Sequence, residues 1–214
     1  MKLHRIVLAA GLVATAAIAK PALADTTLYT QTPNQVDAYP SDQQQQVYDN
    51  FTLSSAATVN TLTWYAIDTL SQPSNFAINF YADSGGFPGA SIGSEDVAPT
   101  ETLTGGNVGG YAEYSYSASL TNPLTFAAGS PYWLEITADN SNDTWGWETA
   151  DGGDNFFYIY YGSTPSGTSG VGDLAFTLTG VNTAPPVPEP SSFVMLGTGL
   201  VGFAGVARRK FRKA

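Results

Sequence analysis

Residues 75–83 read NFAINFYAD. Phe76, Ile78 and Phe80 alternate with Ala77, Asn79 and Tyr81, so an extended chain here presents one wholly apolar face. The turn signal DSGGFPG (83–89) follows, its glycines suited to the positive backbone dihedrals of a tight turn. Outward from this strand and turn the same period of two recurs. In VNTLTWYA (59–66), Val59, Thr61, Thr63 and Tyr65 oppose Leu62, Trp64 and Ala66. In YWLEITAD (132–139), Leu134 and Ile136 oppose Glu135 and Thr137, and in DLAFTLTG (173–180), Leu174, Phe176 and Leu178 oppose Ala175, Thr177 and Thr179. Further turn signals are TGGNVGG (104–110), TNP (121–123), AGSP (128–131) and GSTPSGTSGVG (162–172). No amphipathic helix is legible between residues 25 and 187. The pattern predicts an all-β domain: an antiparallel β-sandwich of jelly-roll type with roughly eight to ten strands.

Charge is distributed unevenly. The chain has 214 residues and a formal net charge of −10. Its 8 Lys and Arg are Lys2, Arg5 and Lys20 at the front and Arg208, Arg209, Lys210, Arg212 and Lys213 at the back; the single His is His4, and Cys is absent. All 18 acidic residues except Glu189, hence 17, lie between residues 25 and 187. That stretch therefore has no Ser-His-Asp or Cys-His system, no Schiff-base lysine and no zinc site of nitrogen and sulfur ligands. Its negative field repels phosphate and nucleic acid, and no disulfide closes it. What remains is acids, amides, hydroxyls and aromatic rings, which serve calcium binding, carbohydrate binding or glycoside hydrolysis.

The two ends carry the positive charge as sorting signals. Lys2 and Arg5 precede the apolar run IVLAAGLVATAAIA (6–19), and Ala22 and Ala24 flank Leu23 in an A-x-A pattern. This predicts a secretory signal peptide over 1–24 with the mature chain starting at Asp25, cleavage after Ala19 being the alternative. At the back, TAPPVPEP (183–190) is a stiff linker, Ser191–Ala207 is an uncharged run of the shortest length that spans a bilayer, and residues 208–214 form a basic tail held on the cytoplasmic side. The expected organisation is thus signal peptide 1–24, β-sandwich ectodomain 25–182, linker 183–190, a single membrane-spanning sorting helix 191–207 and the tail.

Pro188-Glu189-Pro190, a glycine-containing apolar helix and an Arg-rich end, in that order, resemble the PEP-CTERM sorting signal of bacterial exported proteins. The resemblance implies processing near Pro188-Glu189-Pro190 by an exosortase, after signal peptidase has acted at the front and during transient residence in the inner membrane. It also implies a Gram-negative, exopolysaccharide-producing cell and a final place at the cell surface or in the extracellular matrix. YGSTPSGTSGVGDLAFTLTG, FTLSSAATVNTLTWYA and NFAINFYADSGGFPG resemble the β-sandwich ectodomains often found on such proteins, which supports the fold alone.

Within the body, ADNSNDTWGWETADGGDN (138–155) is densest in polar side chains. Asp139, Asp143, Asp151 and Asp154 are candidate calcium ligands, although Thr144 and Ala150 occupy the places where an EF-hand needs Gly and Glu. Trp145 and Trp147, two apart, share a strand face, as do Tyr158 and Tyr160, and an exposed aromatic pair can stack on sugar rings. The opposing reading places these rings in the core. Glu113, Glu135 and Glu148 are the strand acids that an acid-pair glycosidase would use. The expectation is a non-enzymatic structural or adhesive matrix protein associated with exopolysaccharide, with a carbohydrate-binding module as the alternative and a glycosidase third.

Overall fold

A computed structural model of the chain describes residues 24–42, 44–68, 73–139, 145–161, 172–183 and 197. Apart from Ala24 and Gly197, the signal peptide and the apolar run lie outside these residues, as do the PEP motif and the basic tail. No helix among the described residues is long and apolar enough to cross a membrane.

The fold is all-β. Its strands are β1 (Thr26–Pro40), β2 (Gln45–Thr52), β3 (Ala57–Asp68), β4 (Phe76–Asp83), β5 (Pro88–Val97), β6 (Thr100–Val108), β7 (Tyr111–Phe126), β8 (Pro131–Ala138), β9 (Trp145–Asp151), β10 (Phe157–Tyr161), β11 (Asp173–Leu174) and β12 (Phe176–Asn182). They form two antiparallel sheets, a larger one in the order β11-β9-β1-β12-β3-β7-β6 and a smaller one in the order β10-β2-β8-β4-β5. Twelve described strands exceed the expected eight to ten, chiefly because the short β9, β10 and β11 are added at one side of both sheets.

The sheets meet through one core. The alternation expected for β4, β8 and β12 places Phe76, Ile78, Phe80, Leu134, Ile136, Phe176 and Leu178 inside it. Phe51 and Phe80 of the smaller sheet pack edge-on or tilted against Phe126 of the larger, with ring centroids 5.2 and 5.3 Å apart. Phe76 is packed likewise against Trp64, Tyr116 and Trp145 at 5.1 to 5.2 Å. Buried aromatic area on this scale is the main source of stability for a domain without disulfides or internal cations.

Two irregularities correct the simple alternation. Val59 and Leu62 are both core residues, because a register shift between Val59 and Thr61 changes the phase of β3 against β7. The opposite strand accommodates the shift with extra residues, so TNP is an outward bulge inside β7, not a turn between strands. Glu95 of β5 fastens that bulge by accepting the backbone N–H groups of Thr121 (2.6 Å) and Asn122 (3.0 Å). Strand β1 changes partner along its length. Thr26–Gln31 pair with β12, whereas Thr32, Pro33 and Ala38–Pro40 pair with β9, and the intervening residues 34–37 loop out with Gln35 at φ 59°.

Candidate functional site

On the smaller sheet the side chains pointing away from the core form a second, aromatic layer. Pairing sets Tyr158 opposite Tyr48, Tyr48 opposite Glu135, and Glu135 opposite Asn79, one row across four strands. A neighbouring row sets Asn50 opposite Trp133 and Trp133 opposite Tyr81. Tyr160 closes the group, its ring centroid 5.5 Å from Tyr48 and 5.0 Å from Tyr158, and Tyr48 lies 5.6 Å from Tyr81. The β4–β5 hairpin folds over this layer: Phe87 meets Tyr158 edge-on at 5.4 Å, and Asp83 accepts the Trp133 indole N–H at 2.9 Å. The floor of the layer, Tyr48, Trp133 and Tyr158, is consequently buried, while Tyr81, Phe156 and Tyr160 remain partly open and Phe87 is 48% exposed.

Glu135 organises the polar atoms of this face. Its Oε2 accepts from the Tyr81 hydroxyl (2.6 Å) and the Asn79 amide (3.3 Å), and its Oε1 from the Thr137 hydroxyl (2.9 Å). Burial first, and the neighbouring Glu135 carboxylate after it, push the Tyr48 and Tyr81 phenols above the usual phenol range. Both phenols therefore stay protonated donors beside a carboxylate acceptor. Such a layer offers apolar ring faces at its open rim and paired hydroxyl, amide and carboxylate groups between them, which is a donor and acceptor set matched to a polyhydroxylated ligand.

The sequence-derived sites fare differently. Tyr158 and Tyr160 do share one face, and it is the outer one. Trp145 and Trp147 also share a face, but their expected exposure is corrected: they are 2% and 0% exposed and lie in the core. The reason is that β9 is covered on both sides. Phe76 and Phe176 meet the two indoles from within, while the 34–37 bulge of β1 closes the outer side of the strand. The three candidate calcium ligands among the described residues are also separated. Asp139 lies beside Asn75 at the Trp145 end of β9, whereas Asp151 and Asp154, which accept from Asn34 and Asn50, lie at the other end, about 20 Å away at roughly 3.3 Å per residue. Asp143, Pro188, Glu189, Pro190, Arg208, Arg209, Lys210, Arg212 and Lys213 lie outside the described residues. Among the described residues no three acids gather as a metal cluster.

Two acidic groupings bring together residues distant in sequence. Asp49 points into the core and accepts the backbone N–H groups of Leu174 (2.6 Å) and Asn50 (2.7 Å), while Asp173 accepts those of Gly153 and Asn155 (both 2.9 Å). Burial pushes both carboxyls up, Asp49 most strongly. Gln31, with its amide nitrogen turned toward acceptors, bridges Asp49 Oδ2 at 2.7 Å and the Leu174 carbonyl, tying the larger sheet to the smaller. Glu113 and Glu148 form the second grouping: both are buried, and both carboxyls stand at Gln35. A glycosidase holds its two acids around an open cleft, and this buried pair has no such access.

The family described as a PEP-CTERM protein-sorting motif matches residues 186–210. The match takes in Pro188-Glu189-Pro190, the apolar run and Arg208–Lys210. No curated protein matches the chain. Two solved structures align with it, both of the catalytic domain of a GH87 alpha-1,3-glucanase in complex with nigerose, one of them a variant. Each is 18% identical over 78% of this chain and 28% of that chain, with TM-scores of 0.28 and 0.27, values at which the likeness decides neither fold nor activity.

Proposed function

We infer, from the premise that this chain carries a PEP-CTERM protein-sorting motif at residues 186–210, that it is an exported, non-enzymatic adhesive or structural protein of an exopolysaccharide layer. The sorting motif is the observation that carries this reading. An exosortase processes the chain near Pro188-Glu189-Pro190 while residues 191–207 hold it in the inner membrane, and the basic tail stays inside. The ectodomain is a jelly-roll β-sandwich. Its strand orders β1-β12-β3-β7 and β2-β8-β4-β5, with sequential strands passing between the sheets, support two interleaved Greek keys. Replacing Pro188, Glu189 and Pro190 together by Ala leaves the full-length chain in the membrane fraction. Release of a normally shortened product from that variant would overturn the processing step.

The ectodomain contacts glycan through the open rim of the outer face of its smaller sheet, at Tyr160, Tyr81, Phe156 and Phe87. This reading rests on the packing of those rings around Tyr48, Trp133 and Tyr158, with Tyr81 hydrogen-bonded to the Glu135 that also holds Asn79, in a domain with no cation to bind an acidic group. The processed protein, titrated with the producing cell's own exopolysaccharide in calcium and in chelator, binds saturably. Tyr160→Ala raises the dissociation constant about 3- to 10-fold, the equivalent of about 0.5–1.5 kcal/mol for one aromatic contact. Equal affinity of wild type and Tyr160→Ala would remove the face from the proposal, and absence of binding in both buffers would leave a protein-contacting spacer.

A further inference from the structure

Glu113 of β7 and Glu148 of β9 stand on the side of the larger sheet that faces away from the core, yet they are 3% and 0% exposed. Two irregular segments roof them. One is the 34–37 bulge of β1, and the other is the break in register between Leu103 and Asn107 of β6. Gly106 lies so close over the Glu113 carboxylate and the Gln35 amide that a Cβ there would collide with both. Each carboxyl already has one oxygen engaged by its roof. Glu148 Oε1 accepts the Gln35 backbone N–H at 2.7 Å, and Glu113 Oε2 accepts the Thr104 hydroxyl.

The other two oxygens, Glu113 Oε1 and Glu148 Oε2, are buried without a donor among the described residues. Both carboxyls stand at Gln35, Glu148 bonded to its backbone and Glu113 beside its amide under Gly106, and two carboxylates covered together with no donor for these oxygens repel each other unless one carries a hydrogen. No cation is available to separate the charges, since residues 21–207 contain no Lys, Arg or His. The other acids near the roof face elsewhere. Asp37 turns to the Ala38 N–H (2.8 Å), Asp151 to Asn34 (3.4 Å), and Glu101 and Asp68 lie with Tyr116 on the core side. From β3 the pair is faced by Ile67, which is apolar.

We propose that Glu113 and Glu148 share one proton, and that this proton latches the β1 and β6 bulges down over the larger sheet until alkaline surroundings remove it. When it leaves to water, two carboxylates face each other and the carboxyls of β7 and β9, to which the two bulges are bonded, lose the link between them. Burial first, and the bond to Glu113 second, push Glu148 up from the ordinary 4.5 to about 8, so the latch is closed at neutral pH. The folded chain holds one proton more than the unfolded chain between those values. Its folded-to-unfolded ratio therefore falls about tenfold for each pH unit gained in that window through this pair.

The test is a carbon-13 titration of the glutamate carboxyls of the full-length protein in detergent, for wild type, E148Q and E113Q, with thermal melts alongside. Each glutamine carries the missing hydrogen permanently, so either variant keeps the bond and one suffices if the other fails to fold. The expected result is a coupled pair of carboxyl signals titrating in the alkaline range in wild type and lost in the variants. The pH dependence of the melts between pH 5 and 8 is expected to shrink by the equivalent of one proton. Glutamate signals that all finish titrating below pH 6, or a variant that keeps the alkaline step, would overturn the proposal. So would a step that moves with calcium concentration, because a cation would then stand where the proton is placed.

Discussion

Trp145 and Trp147 show how much one hydrogen bond decides in an interior as aromatic as this one. Both indoles are buried in the same core, but the Trp147 N–H donates to the Ala175 carbonyl at 3.0 Å, whereas the Trp145 N–H has no acceptor among the described residues. Replacing each by Phe removes similar apolar volume. Only Trp147→Phe also removes a hydrogen bond, worth about 0.5–1.5 kcal/mol net, although the Ala175 carbonyl keeps the Tyr65 backbone N–H at 3.2 Å. Trp147→Phe is therefore expected to destabilise the domain by about 1 kcal/mol more than Trp145→Phe, read from denaturant melts of the two variants. Equal losses would mean that the Tyr65 N–H alone satisfies the Ala175 carbonyl. Period-two spacing correctly groups the two Trp on one face and the two Tyr, 158 and 160, on another. It cannot say which face is the inner one, and here the answers are opposite.

At the scale of the elements, legibility follows the burial pattern. Strands β4 and β12 alternate between buried and more open positions, so their apolar spacing reads directly as structure, whereas β8 is legible from its alternating chemistry although Trp133–Ile136 are all buried. Strand β9 is buried at every position but its last, and β1 contains two prolines and changes partner midway, so neither displays a period. The outer aromatic layer was half legible for a related reason. Tyr158 and Tyr160 are neighbours in sequence, while Tyr48, Tyr81 and Glu135 reach them only through pairing between distant strands. The crossing of β12 on β3 gives a test at this scale. Gly180 sits at a register shift where an added Cβ would strike the Thr58 carbonyl oxygen and its backbone, which cannot swing aside. Gly180→Ala should cost about 1–3 kcal/mol, in the range of overpacking, with a lowered melting temperature and unchanged strand content by circular dichroism. An unaltered melting temperature would show that the bulge slides to relieve the contact.

For the whole molecule, charge has one sign. No side-chain ion pair can form anywhere between residues 25 and 187, and folding brings 17 acids onto and into one compact body. Burial is the leading cause that raises Asp49, Asp68, Glu148 and Asp173 above their ordinary values. A carboxyl raised on folding binds its proton more tightly in the native state, so its contribution is complete below the unfolded value and drains away as pH climbs through the folded one. Self-repulsion of the body changes with the same sign. The melting temperature should therefore be higher at pH 5 than at pH 9, and added salt should recover part of the alkaline loss by screening. A melting temperature that is flat across this range in low salt would contradict both terms. The same composition governs how the protein meets other enzymes. Proteases of the trypsin type cut after lysine or arginine, and between residues 21 and 207 the chain offers them no bond to cut. Its survival among such proteases does not depend on staying folded.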